Sequence, residues 1–215
     1  MSLNEAENVW TIVVAGGSGT RIGRRKQYEQ VGSRRVIDHA VDMARSVSDG
    51  VVVVMPPADV AAEHAVAGGA TRSDSVRAGL GAVPVEATIV CVHDAARPFA
   101  STQLFEAVIR AVSEGADAAV PGVPVNDTIK RIDSDSMVVD TPPRALLVAA
   151  QTPQAFRASI LRAAHECGLD ASDDAALVEA CGARVVVVPG EPSNRKITHV
   201  DDLAWAREFA AKEGR

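Results

Sequence analysis

The sequence predicts an α/β fold built on a mostly parallel sheet with helices on both faces. Short apolar runs rich in β-branched residues alternate with stretches of helical spacing along nearly the whole chain. This alternation is typical of consecutive βαβ units. The 215 residues suit a single domain, which we place at residues 9–211. Right-handed crossovers would place the loops and any ligand at the carboxyl ends of the strands.

Each element follows from its local pattern. Residues 9–15 form the first predicted strand, and residues 36–47 show the apolar spacing of a helix. Residues 51–55 are a β-branched run stopped by two prolines, which is typical of a buried parallel strand. The other predicted strands are 88–92, 116–120 and 185–188, and the other predicted helices are 58–67, 73–80, 101–113, 161–167, 175–181 and 203–211.

One stretch interrupts this alternation. Five prolines lie between residues 121 and 156, and a polar centre at 133–136 is flanked by β-like pieces at 127–132 and 137–140. The pattern fits a hairpin that protrudes from the body, and composition alone fits a loose surface loop equally well. We name residues 122–150 the arm. The predicted fold is therefore a Rossmann-like, mostly parallel sheet with a protruding β-arm.

Composition excludes several classes of function. The chain has 22 basic and 28 acidic residues, a net charge of −6, which argues against a broad nucleic-acid or anionic-membrane face. The longest apolar run, residues 51–55, is far shorter than the ~18 residues of a membrane span. Residues 1–8 are polar and acidic, unlike a signal peptide, and are expected to be flexible. Three scattered cysteines without a CxxC argue against a disulfide framework or zinc site, so we expect a reducing cytoplasm.

A glycine-rich turn follows the first predicted strand. Gly16, Gly17 and Gly19 would let backbone N–H groups approach a phosphate, because no Cβ blocks the approach. The turn lacks the ending of a Walker A motif, and Ile22 stands where a dinucleotide fingerprint has its third glycine. Taken alone, the pattern fits a simple tight turn as well as it fits phosphate binding.

A basic run directly after the turn favours phosphate binding. Arg21, Arg24, Arg25 and Lys26 place four cations in six positions with no acidic residue between them. Without them the chain would carry 18 basic and 28 acidic residues, a charge of −10. Like charges this close repel one another, and a bound polyphosphate would relieve the repulsion better than solvent does.

Six segments in order resemble the 2-C-methyl-D-erythritol 4-phosphate cytidylyltransferases. They are AGGSGTR at 15–21, HDAARP at 93–98, DTIK at 127–130, QTPQ at 151–154, SDDA at 172–175 and NRKIT at 194–198. Ribitol-5-phosphate cytidylyltransferases are similar as well. Phe99 is typical of the ribitol enzymes, whereas Ala95 and Ala96 are typical of the methylerythritol enzymes and decide our preference.

The resemblance implies that CMP is transferred from CTP to a polyol phosphate, with Mg²⁺ as cofactor and pyrophosphate as the second product. The attacking phosphate oxygen is already an anion, so the site must position two polyanions and neutralise charge rather than supply a base. The implied catalytic residues are Arg21, Lys26 and Lys196. The implied nucleotide-binding residues are Ala15, Gly16, Gly17, Gly19, Gly69, Ser75, Asp94 and Ala95, and Asp94 is also the implied metal ligand.

Thr128, Arg144 and Thr152 match the family residues that bind the polyol phosphate. The resemblance also implies a homodimer in which the arm crosses to the partner and completes its site. We expect no nucleic-acid or membrane partner, and we interpret His93 as a packed histidine. A different possibility is a non-catalytic nucleotide-binding protein, but binding alone would not require Arg21, Lys26, Asp94 and Lys196 together.

Overall fold

The computed structural model describes residues 7–16, 25–168 and 171–214. Its strands are β1 (Val9–Val14), β2 (Gln30–Val31), β3 (Arg34–Arg35), β4 (Gly50–Met55), β5 (Val66–Ala67), β6 (Ile89–Asp94), β7 (Ala118–Pro124), β8 (Arg131–Ile132), β9 (Val138–Asp140), β10 (Val148–Ala150), β11 (Gln154–Arg157) and β12 (Val185–Pro189). Its helices are α1 (Val36–Val47), α2 (Val60–Glu63), α3 (Arg72–Leu80), α4 (Thr102–Ser113), α5 (Ala158–Glu166), α6 (Asp174–Ala180) and α7 (Val200–Glu213).

Within the described residues, eight strands form one sheet in the order β10-β7-β11-β6-β1-β4-β5, with β12 paired to β7. The pairs that join β1 to β4 and β6, β4 to β5, and β7 to β12 are parallel. β11 is antiparallel to both β6 and β7, and β10 is antiparallel to β7. The predicted mostly parallel sheet is confirmed, with two antiparallel strands that the sequence did not indicate.

Helices cover both faces of the sheet, as predicted. On one face, Val13, Met55 and Cys91 pack with residues of α1 and α4 such as Ile37 and Phe105. On the other face, the alternate strand residues Ile12, Val54 and Val92 pack with residues of α3, α5 and α6. Because successive strand side chains point to opposite faces, each central strand contributes to both cores. These two cores fix the carboxyl ends of β1 and β6 relative to the helices.

The predicted helix at 58–67 is wrong in most of its length. A 3-10 turn at Pro57–Asp59 leads into the single turn of α2, which ends where His64 takes up a left-handed conformation with φ of 50°. The chain then extends, and β5 pairs with the end of β4. Pairing at an open sheet edge therefore overrides the weak helical preference of this segment.

The predicted arm is a β-hairpin. β8 pairs with β9 in a separate antiparallel two-stranded sheet. Its apolar side chains are largely exposed, with 55% of Ile132, 65% of Met137, 58% of Val138 and 53% of Val139 accessible. The arm therefore has few apolar contacts with the body of the same chain.

α7 forms a third, smaller core beside the sheet. Leu203, Ala206 and Ala210 are buried against Val31, Val36, Phe99 and Ile197, and Trp205 stacks on Phe209. This core joins the end of the described chain to the segment that follows the glycine-rich turn. None of the described helices has the length and apolar character needed to cross a membrane.

Candidate active site

The carboxyl ends of β1 and β6 lie side by side. Val14 is in register with Asp94, the last residue of β6. The Ala15 N–H donates to the Val54 carbonyl at 2.8 Å, and the Ala95 N–H donates to the Val14 carbonyl at 3.0 Å. The chain is thus held at the two points where it leaves the sheet, which is the edge where a parallel sheet binds ligands.

A cleft of about 400 Å³ opens at this edge. Eight of the predicted site residues line it: Ala15, Gly16, Lys26, Gly69, Ser75, Asp94, Ala95 and Lys196. Six further residues line it: Val14, Gln27, Ala70, Thr71, Arg72 and Ala96. Five separate stretches of the chain therefore meet at one cleft, although the roles assigned to their residues remain predictions.

The other predicted residues lie elsewhere. Gly17, Gly19 and Arg21 fall outside the described residues. Thr128 and Arg144 are exposed on the arm, where the Arg144 guanidinium donates to the Asn126 carbonyl at 2.8 Å. Neither lines the cleft of its own chain. Thr152 is buried behind Asp94 and does not line the cleft either.

Asp94 is the anionic centre of the cleft. Its carboxylate lies 2.7 Å from the Lys196 Nζ through Oδ2 and 3.4 Å from the Arg72 Nε through Oδ1. Burial raises the pKa of the Asp94 carboxyl, but the charges of Lys196 and Arg72 outweigh burial and hold that pKa well below its usual range. Asp94 is therefore ionised at neutral pH, and both of its oxygens have cationic partners.

A network of amide groups fixes the segment that carries Lys196. Asn194 is fully buried, and its Nδ2 donates to the Thr152 carbonyl at 2.9 Å. The Asn194 carbonyl accepts from the guanidinium of Arg97 at 2.8 Å and from the Gln151 Nε2 at 3.2 Å. Since the Ile197 N–H also donates to the Ala96 carbonyl at 2.8 Å, Lys196 projects from a backbone held on both sides.

Lys26 approaches the same segment from the opposite end of the chain. It begins the 3-10 turn Lys26–Tyr28, and its Nζ donates to the Ile197 carbonyl at 2.9 Å. The neighbouring Arg25, which had no assigned role, pairs with Asp59 at 2.6 Å. The two predicted catalytic lysines are therefore linked, because Lys26 bonds to the residue that follows Lys196.

Residues 69–75, which include the predicted nucleotide-binding residues Gly69 and Ser75, cap α3. Thr71 and Asp74 form a reciprocal capping box, in which each side chain accepts from the backbone N–H of the other. The Ser75 hydroxyl accepts from the Gly69 N–H at 3.2 Å and donates to the Thr71 carbonyl at 3.0 Å. A Cβ at Gly69 would lie 2.3 Å from the Asp74 Cβ, so this turn requires glycine. Capping and ligand contact are compatible, because the segment also lines the cleft.

His93 is a packed histidine, as predicted. It is fully buried, and burial lowers its pKa to about 4, so it is neutral at pH 7. The Thr152 hydroxyl accepts from the Asp94 N–H at 3.0 Å and lies 3.1 Å from the His93 Nδ1. The His93 Nε2 in turn lies 3.1 Å from the Arg97 carbonyl. These bonds are consistent with a neutral ring protonated on Nε2 that supports the backbone of Asp94.

Sequence reasoning missed Arg72 and the contacts behind it. Arg72, the first residue of α3, lies between Asp94 and Asp174, and its Nη1 donates to the Asp174 Oδ2 at 2.6 Å. Asp174 belongs to the SDDA segment, for which the resemblance supplied no role. The available signal was that Arg72 lies close in sequence to the predicted site residues Gly69 and Ser75. Nothing in the local sequence indicates its pairing with Asp174, which is 102 positions away.

Asp94 is the carboxylate in this cleft that can hold a cation. Among the described residues, no group of three or more His, Cys, Asp or Glu side chains is arranged around a possible metal. Mg²⁺ is commonly bound by one or two carboxylates together with substrate phosphates and water. A single ionised carboxylate beside a polyphosphate-sized cleft therefore fits Mg²⁺ and does not fit a closed all-protein metal centre.

Comparison with known protein families identifies the family to which this chain belongs. Residues 9–212 match the model described as IspD: 2-C-methyl-D-erythritol 4-phosphate cytidylyltransferase. The chain belongs to the IspD family. The match covers almost the whole described chain, including all five stretches that line the cleft.

Individual members of the IspD family agree with this assignment. The chain is 43% identical to the bifunctional enzyme IspD/IspF of Solidesulfovibrio magneticus over 95% of its own length and 58% of that enzyme. It is 42% identical to the 2-C-methyl-D-erythritol 4-phosphate cytidylyltransferase of Streptomyces coelicolor over 94% of its length and 84% of the relative.

A solved structure from the IspD family has the same fold. The 4-diphosphocytidyl-2C-methyl-D-erythritol synthase of Anaerococcus prevotii superposes with a TM-score of 0.85 at 32% identity, covering 95% of this chain and 99% of that one. The chain thus spans about three fifths of the first bifunctional relative but nearly all of a single-domain IspD structure.

Proposed function

We propose that this protein transfers CMP from CTP to 2-C-methyl-D-erythritol 4-phosphate and releases pyrophosphate, in isoprenoid precursor synthesis in the cytoplasm. One observation carries the proposal: Lys26, Lys196, Arg72 and Asp94 converge on a single cleft at the carboxyl ends of β1 and β6. Three cations and one carboxylate at the same cleft suit a ligand with several negative charges. The names of the IspD relatives supply 2-C-methyl-D-erythritol 4-phosphate as the acceptor and a cytidylyl group as the part that is transferred.

The proposed reaction needs charge neutralisation more than proton transfer. A phosphate oxygen of the polyol phosphate attacks the α-phosphorus of CTP, and the bond to the bridging oxygen of pyrophosphate breaks. Lys196 would leave Asp94 for the α-phosphate, while Lys26 would leave the Ile197 carbonyl for the outer phosphates. Fixed cations aimed at developing charge are worth most in a partly enclosed site, where little reorganisation is needed.

Binding of the nucleotide is assigned to the residues along the sheet edge. Ala15 and Gly16 would contact the triphosphate, and the resemblance assigns Gly17, Gly19 and Arg21 to the same ligand. Gly69 and Ser75 would contact the base, and Asp94 with Ala95 would lie against the ribose. Asp94 would also hold Mg²⁺, which when bound neutralises phosphate charge and orients the triphosphate. Binding then requires Asp94 to exchange the Lys196 ammonium for the metal.

The test is pyrophosphate release with CTP, Mg²⁺ and a panel of phosphorylated polyols. We expect turnover with 2-C-methyl-D-erythritol 4-phosphate and much slower turnover with ribitol 5-phosphate. Turnover with ribitol phosphate alone would assign the chain to the other specificity. CTP binding without any turnover would favour a nucleotide-binding protein instead.

We also propose that the protein is a homodimer assembled through the arm. Exposed apolar side chains cluster on β8, β9 and their connection, and such patches usually mark an interface. Thr128 and Arg144 lie on the same arm, far in sequence from the cleft residues, and would bind the polyol phosphate of the partner site. Thr152 is buried, so it would act from its own chain by supporting the backbone of Asp94 rather than by touching the polyol phosphate.

Mixed dimers test this arrangement. Arg144→Ala chains and Lys26→Ala chains are each expected to be nearly inactive alone. If the arm completes the site of the partner, one of the two sites in a verified heterodimer has both Lys26 and Arg144 intact. Partial recovery of activity is therefore expected, and heterodimers as inactive as the parents would contradict the arm's role in catalysis.

A further inference from the structure

A buried chain of charged groups lies directly behind the cleft. Asp174, the first residue of α6, is 1% exposed, and both of its oxygens are used. Oδ2 accepts from the Arg72 Nη1 at 2.6 Å, and Oδ1 accepts from the His165 Nε2 at 3.0 Å. Arg72 lines the cleft, but Asp174 and His165 do not. Among the described residues, the contact that links Asp174 to the cleft lining is therefore the one with Arg72.

Arg72 is shared unequally between two carboxylates. Its distance to Asp174 is 2.6 Å, whereas its distance to Asp94 is 3.4 Å. The Arg72 Nη2 is buried and has no hydrogen-bond partner among the described residues. The guanidinium is thus anchored on the Asp174 side and only loosely engaged with Asp94.

We propose that Asp174 is a positioning residue that holds Arg72 back from Asp94, so that Asp94 stays available to a divalent cation. This inference rests on the proposed function, in which Asp94 exchanges the Lys196 ammonium for Mg²⁺. Two cations already compete for Asp94, and a fully engaged arginine would be the harder one to displace, since its guanidinium can bind both carboxylate oxygens. By taking the closer contact, Asp174 leaves Lys196 as the main competitor.

The prediction is specific to the metal. In Asp174→Asn, Asp94 is the ionised partner that Arg72 keeps among the described residues, and Arg72 moves toward it. Groups that orient a metal ligand typically change metal affinity by 10–100-fold. We therefore expect the half-saturating Mg²⁺ concentration for pyrophosphate release to rise about tenfold or more, with kcat at saturating Mg²⁺ reduced by less than about threefold.

Asp173→Asn is the matched control. Asp173 is adjacent, carries the same charge and caps the same helix, with its Oδ1 accepting from the Ala176 N–H at 2.9 Å. It contacts Gln154 rather than Arg72, and asparagine can still cap. Its Mg²⁺ dependence should stay within about twofold of the wild type. The double variant Arg72→Gln/Asp174→Asn removes the competing cation and should bring the Mg²⁺ requirement back toward the wild type.

Binding of Mn²⁺ to the protein with CTP, followed by electron paramagnetic resonance, gives a readout independent of turnover. Mn²⁺ binding should weaken in Asp174→Asn, recover in the double variant and be unchanged in Asp173→Asn. Equal shifts in both asparagine variants, lost kcat with an unchanged metal dependence, or no Mn²⁺ binding to the wild-type complex would overturn the inference. A wild-type protein that binds Mn²⁺ and CTP without turnover would refute the proposed function but not the role of Asp174. That role would still be decided by comparing Mn²⁺ binding among the variants.

A second inference concerns two cysteines at the far ends of α5 and α6. Cys167 and Cys181 are both exposed, and their sulfurs lie 3.9 Å apart, whereas Cys91 is buried. The two cysteines are the C-cap residues of consecutive helices and are separated by 14 positions. The sequence pattern argues against a disulfide framework that holds the fold together. A pair of exposed thiols that can be oxidised and reduced is a different feature and does not conflict with that expectation.

We infer that Cys167 and Cys181 form a dithiol site that low-molecular-weight disulfides oxidise. The thiolate of one cysteine attacks the reagent and releases one reagent thiol. The second cysteine then displaces the other reagent thiol and closes the protein disulfide. The protein loses two hydrogens and the reagent gains them, so the exchange balances. The product would tie α5 to α6, the helices that carry His165 and Asp174.

The test treats the folded protein with oxidised glutathione and uses Cys181→Ser as control. Mass spectrometry should show the loss of two hydrogens and a linked pair of peptides containing residues 167 and 181. The melting temperature should rise by roughly 5 °C, reversibly with dithiothreitol. Cys181→Ser should instead retain one glutathione adduct. Stable adducts on both cysteines of the wild type, crosslinks between chains, or no reaction would overturn the inference.

Discussion

The cleft and the arm differ in where their side chains find partners. In the cleft, Asp94, Lys196 and Lys26 all bond to groups of the same chain. On the arm, apolar residues such as Met137 and Val138 are mostly exposed. These charged groups of the cleft therefore have partners within their own chain, whereas the arm becomes a buried surface only if a second molecule covers it. Charge positioning in the cleft and assembly through the arm can thus be tested separately.

The largest expected effect is on the cleft. Lys26→Ala or Lys196→Ala should reduce kcat by about 10²–10³-fold, because charge in the transition state loses a fixed cation. Steady-state pyrophosphate release measures this loss. Lys212→Ala, which removes an exposed lysine from α7, is the control and should be unaffected. A Lys26 variant within a few-fold of the wild type would shift the role to Arg24 or Arg25.

The next effect is on the arm. Val138→Asp should weaken dimerisation by a hundredfold or more, because an unpaired charge in an interface costs roughly 3 kcal/mol or more. Sedimentation velocity measures the change. Val85→Asp, at a side chain 81% exposed on the body, is the matched control.

The same variant sharpens the comparison between the two regions. The Val138→Asp chain should bind CTP with unchanged affinity, because the cleft depends on its own chain. Loss of CTP binding together with the dimer would show that the cleft also needs the partner. A Val138→Asp protein that remains a dimer would remove the arm from the interface.

A smaller effect concerns stability behind the cleft. Burial lowers the pKa of His93 from 6.5 to about 4. Between these values the unfolded state binds a proton that the folded state excludes, so stability falls as the pH falls through this window. The contribution amounts to roughly 1.4 kcal/mol per pH unit and about 3 kcal/mol in all.

Urea unfolding of wild type and His93→Gln from pH 4 to 8 measures this contribution. The slope of unfolding free energy against pH should be shallower for His93→Gln below pH 6.5. Above pH 7.5 the two slopes should coincide, because the wild-type histidine is then neutral in both states. Parallel curves throughout would mean that His93 is charged in the folded protein.

The smallest effect is expected at Arg25. Its ion pair with Asp59 is at the surface, with 48% of the Arg25 side chain exposed, and such pairs contribute about 0–1 kcal/mol. Arg25→Ala should therefore change kcat by less than about twofold and lower the melting temperature by at most a few degrees. A large loss of activity would place Arg25 with Lys26 in the cleft.

The central strands and the helices on both faces could be predicted because their patterns are local. β1, β4 and β6 are apolar runs, and α1 and α4 carry apolar residues at helical spacing. β11 could not be predicted, since its four residues become a strand only by filling the gap between β6 and β7. The same holds for β5, which is defined by its pairing with β4.

The candidate site could be predicted from the sequence only where its residues belong to recognisable motifs. Lys26, Asp94 and Lys196 were predicted because each belongs to a recognisable segment, and the structure brings them to one cleft, where their roles stay predictions. The pairing of Arg72 with Asp174 and the proximity of Cys167 to Cys181 depend on how helices pack. No spacing along the chain encodes contacts of that kind.

The bond between the Lys26 Nζ and the Ile197 carbonyl joins residues 171 positions apart. Contacts with such long loops form late, because the loop-closure entropy must be paid before the contact stabilises anything. During synthesis, residue 26 must wait until residue 197 has left the ribosome. The sheet can thus gain order while the protein is still inert, and enzymatic activity should be the last property to appear during refolding.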